Sequence, residues 1–214
     1  MLPRQAPPHL SPAPSPSQPV YHSALNDVEP TLCGCSLLPV HGGGRGPAPA
    51  PTEGSGAQQC FTRNAGGTST LHALDAAEEA DIVDETIYFF RANVLFKSFE
   101  IQGGADRVLV YLTLYAQQCI AVASETSNFE EGAAALLELA SKPFSLPGDA
   151  GFPLSSMMAS PATPDERDTL RLYLKQLRTA LSKRLAPKLY LEDGSPNKFW
   201  MAFSKRKFMN KELK

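Results

Sequence analysis

Beyond residue 80 the apolar positions fall into helical registers, whereas before it they follow no period. In DIVDETIYFFRANVLFKSFEI (81–101), Val83, Ile87, Phe90 and Val94 stand three or four apart, and Ile82 and Phe89 thicken the stripe. The spacing predicts a helix that begins at Asp81 and is stopped by Gly103 and Gly104. Asp81, Asp84 and Glu85 occupy its first turn, where the partial positive charge of a helix start favours carboxylates. A second helix is predicted over 105–124. Val108, Leu112, Tyr115, Cys119 and Val122 form one stripe there, and Leu109, Ala116, Ile120 and Ala123 form another beside it. A helix apolar around most of its circumference belongs inside a bundle. Over 128–141, Phe129, Ala133, Leu136 and Ala140 predict a third helix.

Thr163-Pro164-Asp165-Glu166 reads as a helix start: a capping threonine, proline at the first helical position, and a glutamate placed for a capping box. Leu170, Tyr173, Leu174, Leu177, Leu181 and Leu185 follow as one face, and Arg167, Arg171, Lys175, Arg178 and Lys183 cover the other. This predicts an amphipathic helix lying on the surface and ending near Pro187. The Asp193-Gly194 turn with Ser195-Pro196 leads through a short strand or extended link to the C-terminus, where Phe199, Phe203 and Phe208 fall on one helical side.

The first third reads differently. Residues 1–19, rich in Pro, Ser and Ala, are expected to be a disordered extension, because they offer too little apolar surface to offset chain entropy. Residues 20–49 read as an extended arm, 50–80 as a low-complexity insert, and 81–214 as the helical body. The expected fold is therefore all-α: a compact multi-helix bundle around an almost fully apolar central helix, with an extended arm and a disordered tail and insert.

Composition narrows the function. A net charge of −2 and a pI near 6.1 argue against whole-chain affinity for nucleic acid. No apolar run is long enough to cross a bilayer, and the N-terminus lacks the apolar centre of a secretory signal. Cys33, Cys35, Cys60 and Cys119 form no disulfide framework, which fits a reducing, cytoplasmic setting.

Candidate chemistry is thin. Cys33 and Cys35 with His22 and His41 lack the second cysteine pair of a zinc site. The glycine run HGGGRG (41–46) lacks the Lys-Ser/Thr of a phosphate loop, and His9 and His72 have no identifiable partner. The carboxylates at 81, 84 and 85 are explained by a charged first turn. No catalytic residue, metal ligand or cofactor is predicted, and the chain does not read as an enzyme.

The C-terminal segment is the exception. Lys198, Lys205, Arg206, Lys207 and Lys211 interleave with Phe199, Trp200, Phe203 and Phe208. The plain reading is a closing amphipathic helix whose aromatics are core and whose lysines are solvated. The functional reading is an interface, since aromatic and arginine side chains most often anchor one. Composition leaves nucleic acid, an anionic membrane and an acidic protein open as partners of a free-standing helical module.

The order of local words chooses among them. YHSAL (21–25), LLPV (37–40), GPAP (46–49), DIVDETIYFFRANVLFKSFEI (81–101) and ADRVLVYLTLY (105–115) are followed by PGDAGFPL (147–154), YLKQLR (173–178) and KFWMAFSKRKFMNKEL (198–213). In content and order these resemble the actin-related protein 2/3 complex subunit 3 family. The resemblance implies a non-catalytic structural subunit of an assembly that nucleates branched actin filaments. Such a subunit binds the larger actin-related subunit, helps contact the mother filament, and sits in the actin cytoskeleton of the cytoplasm and cell projections. It implies the other subunits and the actin filament as partners, with no nucleic acid and no membrane insertion. An acidic actin surface would then be what the basic, aromatic segment meets. The chain departs from the family pattern in residues 1–19 and in the stretch between GPAP and DIVDE, which reads as a lineage-specific loop or an unspliced intron.

Overall fold

The computed structural model describes residues 20–49 and 80–213. The expected disordered extension and all but the last residue of the expected insert lie outside the described residues. Within them the chain is mostly helical, with α1 (Ile82–Asn93), α2 (Gly104–Ala123), α3 (Phe129–Ser141), α4 (Pro164–Leu189) and the short α5 (Lys198–Met201). A 3-10 turn follows at Phe208–Asn210, and one small antiparallel sheet pairs β1 (Thr31–Leu32) with β2 (Cys35–Ser36). Cys33 and Gly34 join those strands with φ of 53° and 80°, as a two-residue hairpin turn of matching twist requires.

Helix α2 packs against α1, α3, α4 and β2. It buries Val108, Leu109, Val110, Tyr111, Leu112, Leu114, Tyr115 and Ala116 without a break except Thr113, itself buried with its hydroxyl turned back to Leu109 O. Each large side chain so buried is worth about 1.5–3 kcal/mol.

Two boundaries differ from the sequence expectation. Helix α1 stops at Asn93, well before the glycines. Asn93 is buried, and its side-chain amide pairs with both backbone groups of Tyr21. Three residues on, Phe96 O accepts from Met209 N, so the backbone here pairs with a distant segment instead of continuing the helix. Gly103 and Gly104 begin α2 instead, and a Cβ on Gly104 would press to 2.8 Å from Ser36 N.

Helix α4 is amphipathic as expected: Arg171, Lys175 and Lys183 are exposed and the apolar face turns inward. It buries Leu170, Tyr173, Leu174, Leu177, Leu181, Leu185 and Leu189, and it runs past Pro187 because Leu189 and Tyr190 are drawn into the core. Thr163 Oγ1 accepts from Glu166 N at 3.2 Å, but the Glu166 carboxylate reaches Ala162 N rather than Thr163 N. Arg178, assigned by spacing to the polar face, is 3% exposed. Its guanidinium lies 4.4 Å from the Tyr115 ring centroid and 4.3 Å from that of Phe144, because the loop after α3 covers this side of α4.

Candidate protein interface

The acidic cluster at the start of α1 has an architectural job. Asp81 caps α1 by accepting from Val83 N and Asp84 N, and it also accepts from His41 N at 2.8 Å. Arg184 of α4 grips both Asp81 oxygens at 2.7 Å and Asp84 at 2.9 Å, and donates to His41 O as well. Glu85, 3% exposed, accepts from Ser23 Oγ at 2.6 Å and Ala24 N at 2.9 Å. Burial raises its pKa against the lowering effect of those two bonds. Asp106 at the start of α2, fully buried, takes Ser23 N, Gln102 N and the His22 ring. YHSAL is thus the segment by which residues 21–25 are clasped to the starts of two helices.

The thiols of Cys35 and Cys119 are buried, and desolvation pushes each up to about 12. Both are poor nucleophiles at neutral pH. The His22 ring is engaged with Asp106, whereas His41 meets Asp81 through its backbone N–H. Among the described residues no helix is long and apolar enough to cross a membrane.

The C-terminal segment leaves α4 through a tight reversal. Tyr190 bridges Pro196, Leu191 N donates to Ser195 O, and Gly194 takes the left-handed conformation at φ 78°. Asn197 then caps α5 by accepting from Phe199 N. The helix lasts a single turn, so Phe199, Phe203 and Phe208 do not share a helical side. Met209 and Asn210, with φ of 53° and 54°, turn the chain again.

Inside and outside therefore divide residue by residue. Trp200 is buried on Phe90, ring centroids 5.9 Å apart, and Phe203 meets the same ring edge-on at 6.0 Å. Phe208 is fully buried against Phe99, and its N–H donates to Gln117 Oε1 at 2.7 Å. Lys211 reaches Pro153 O, and Lys207 pairs with Glu212 at 2.9 Å. Lys198, Phe199, Lys205 and Arg206 face solvent, Phe199 at 64% exposure.

The periodicity argument missed a neighbour. Arg91 of α1 lies 5.5 Å from the Phe199 ring centroid and 5.8 Å from that of Trp200. Tyr88 and Leu95, exposed at 50% and 54%, stand three residues before and four after it. Tyr88 meets Phe89 edge-on, and Phe89 stacks on Tyr21 of the arm. The spacing 88, 91, 95 was legible as one helical face. Its meeting with Phe199 depends on a contact more than a hundred residues away along the chain.

The result is an exposed, aromatic and cationic face built from α1 and the segment after α4, with Trp200 and Phe208 as its internal supports. Aromatic and arginine side chains of this kind are the ones that most often anchor protein interfaces. The family model described as P21-Arc, the 21 kDa ARPC3 subunit of the ARP2/3 complex, matches residues 18–213. Proteins named actin-related protein 2/3 complex subunit 3 are similar along nearly their whole length. The one from Dictyostelium discoideum is 40% identical over 198 residues, covering 91% of this chain and 99% of that protein. The one from Schizosaccharomyces pombe is 38% identical over 199 residues, covering 91% and 99%. The one from Arabidopsis thaliana is 37% identical over 193 residues, covering 89% and 97%. Matched across its arm, its helices and its C-terminal segment alike, the chain belongs to the actin-related protein 2/3 complex subunit 3 family.

Proposed function

We infer that the chain is a non-catalytic structural subunit of the actin-branching complex for which its relatives are named, working in the cytoplasmic actin cytoskeleton. Family membership over nearly the whole chain carries the role. The exposed Arg91–Phe199 stack carries the assignment of a docking face. Lys198, Lys205 and Arg206 supply positive charge that steers an acidic surface toward it, and Phe199, Tyr88 and Leu95 supply the apolar area that holds the encounter. The partner that fits is an actin-related subunit or the filament on which the complex sits. Nucleic acid is disfavoured, because recognition of it needs a broader basic surface than this face offers.

The test is reconstitution of the complex with Lys198→Glu, Lys205→Glu and Arg206→Glu combined. All three side chains are exposed, so the urea midpoint of the isolated variant should match the parent. Branch formation should fall and lose part of its salt sensitivity. Undiminished branching by the triple variant would remove this face from the interface. A parent chain that stays monomeric beside its co-expressed partners would remove the assembly role itself.

A further inference from the structure

The surface where α3 begins and α4 ends has the opposite character to the Phe199 face. It opens into a cleft of about 700 Å³. Phe129, Pro187 and Leu191 give the cleft apolar walls, while Glu130, Glu192 and Asp193 line it with carboxylates and no lysine or arginine takes part. Phe129 is 39% exposed and Leu191 52%, so two large apolar side chains stand in water beside unbalanced charge. The walls are fixed to each other. Phe129 N donates to Gly194 O at 3.1 Å, and the Phe129 ring meets Tyr190 edge-on with centroids 5.8 Å apart. The Tyr190 hydroxyl in turn bonds Thr126 Oγ1 at 2.6 Å.

The charges stand against the preference of the fold itself. Helix α4 ends at Leu189, and the carbonyl end of a helix carries partial negative charge that favours cations. Glu192 and Asp193 follow just beyond that end instead. Neither they nor Glu130 pairs with a lysine or arginine among the described residues. Asp193 Oδ1 accepts from Ser195 N at 2.9 Å and from Ser195 Oγ at 2.6 Å, and those bonds hold its carboxyl below its ordinary value. Among the described residues no cluster of His, Cys, Asp and Glu is placed to hold a metal ion. The negative potential of the cleft therefore awaits a cation that is carried on something larger.

We propose that this cleft receives a segment of a partner protein in which basic and apolar residues alternate. Its arginine or lysine side chains meet Glu130, Glu192 and Asp193, and its apolar side chains cover Phe129 and Leu191. Charge complementarity selects the sign, and the exposed ring of Phe129 favours a cation over its face as well. The apolar pair selects a peptide over a bare polyamine, and the carboxylates repel the phosphates of nucleic acid and anionic lipid. Walls already tied together spare part of the ordering cost of docking. That the occupant belongs to a protein rests on the assembly role inferred above, but the cleft shares no residue with the Phe199 face, so either can fail alone.

The test measures fluorescence anisotropy of a labelled Arg-Leu-Arg-Leu-Arg peptide on the full-length chain, beside Arg-Gly-Arg-Gly-Arg and Glu-Leu-Glu-Leu-Glu. The first should bind about tenfold more tightly than either of the others. Glu130→Gln with Glu192→Lys, both exposed, should weaken its binding about tenfold or more, as loss of paired charge does at other interfaces. Leu191→Ser should weaken it severalfold with the urea midpoint unchanged. Asp168→Gln with Glu100→Lys makes the same change of net charge at exposed positions outside the cleft and should alter binding less than twofold. Reversing Lys198, Lys205 and Arg206 to Glu should not weaken it, which separates this cleft from the Phe199 face. Equal losses from the two charge-changed pairs would overturn the proposal, as would binding of Arg-Gly-Arg-Gly-Arg as tight as that of the leucine peptide. Concentration-dependent dimerisation of the parent that is lost in the Glu130→Gln, Glu192→Lys variant would overturn it too, by giving the cleft to a second copy of this chain.

Discussion

Phe199 and Trp200 are adjacent in sequence and opposite in role, and their truncation separates the interface from the fold. Trp200 is 9% exposed, stacked on Phe90 and covered by Arg91. Removing so large a buried side chain costs about 3–5 kcal/mol, part from lost transfer energy and part from the cavity left behind. Phe199 is 64% exposed, so about a third of its surface is given up to packing. A third of the value of burying a phenylalanine is about 0.5–1 kcal/mol. The Arg91 contact adds about 0.5–1 kcal/mol at such an exposed site. Phe199→Ala should therefore cost roughly 1–2 kcal/mol of stability. A central aromatic anchor loses about 2 kcal/mol or more of binding when truncated, roughly thirtyfold in Kd. Urea titration gives the stabilities, and titration of the purified chain against an immobilised actin-related subunit gives the affinities. The expected pattern is a small midpoint shift with a large affinity loss for Phe199→Ala, and a large midpoint shift for Trp200→Ala. If Phe199→Ala lowers the midpoint as far as Trp200→Ala does, or leaves affinity within twofold, the division between anchor and support is wrong.

Three further outcomes follow from the buried polar groups. Glu85 has a folded pKa raised by burial above its unfolded value near 4.5, so its contribution is complete below about pH 4.5 and is lost as pH rises through the raised value. Glu85→Gln keeps an acceptor for Ala24 N and a donor for Ser23, so it should gain on the parent from mildly acidic to neutral pH; parallel urea-midpoint curves for the two proteins would refute this. Arg184→Met strands Asp81, whose side chain is 4% exposed, and should cost about 3–5 kcal/mol. Adding Asp81→Asn, which can still cap α1, should recover much of that loss in a double-mutant cycle. Gly132→Ala should cost about 1–3 kcal/mol despite alanine's better helix propensity, because the new Cβ would overlap the buried Tyr190 hydroxyl. A raised thermal midpoint would contradict that placement.

The helices were legible because each carries its own period, and α2 could be read from its lack of a polar face. What sequence could not supply was every feature fixed by a distant partner. Helix α1 ends where Asn93 turns to Tyr21, seventy-two residues earlier in the chain. Arg178 stands one residue past Leu177 on the apolar stripe, and the loop carrying Phe144 decides that it is buried. In the C-terminal segment the aromatics were visible but their sides were not. The single turn of α5 and the positive φ at Met209 and Asn210 break any period that would have sorted Phe199 from Trp200 and Phe208.

The sorting matters because it changes what kind of binder the segment is. A free basic tail would surrender conformational entropy on docking, at about 0.5–1.5 kcal/mol for each rotamer-rich side chain it immobilises, with backbone ordering besides. Here the segment is already tied at several points: Phe199 N to the Asn197 cap, Phe208 N to Gln117, Met209 N to Phe96 O and Lys211 Nζ to Pro153 O. The rings of Trp200 and Phe203 pack on Phe90 of α1, and the arm is tied to the same helix through Asn93 and Glu85. Both ends of the described chain thus pack on α1, which exposes Tyr88 and Arg91, with Leu95 exposed just past its end. With that ordering completed during folding, contact energy at Phe199 and its cations would appear more fully as affinity on the docking face proposed above.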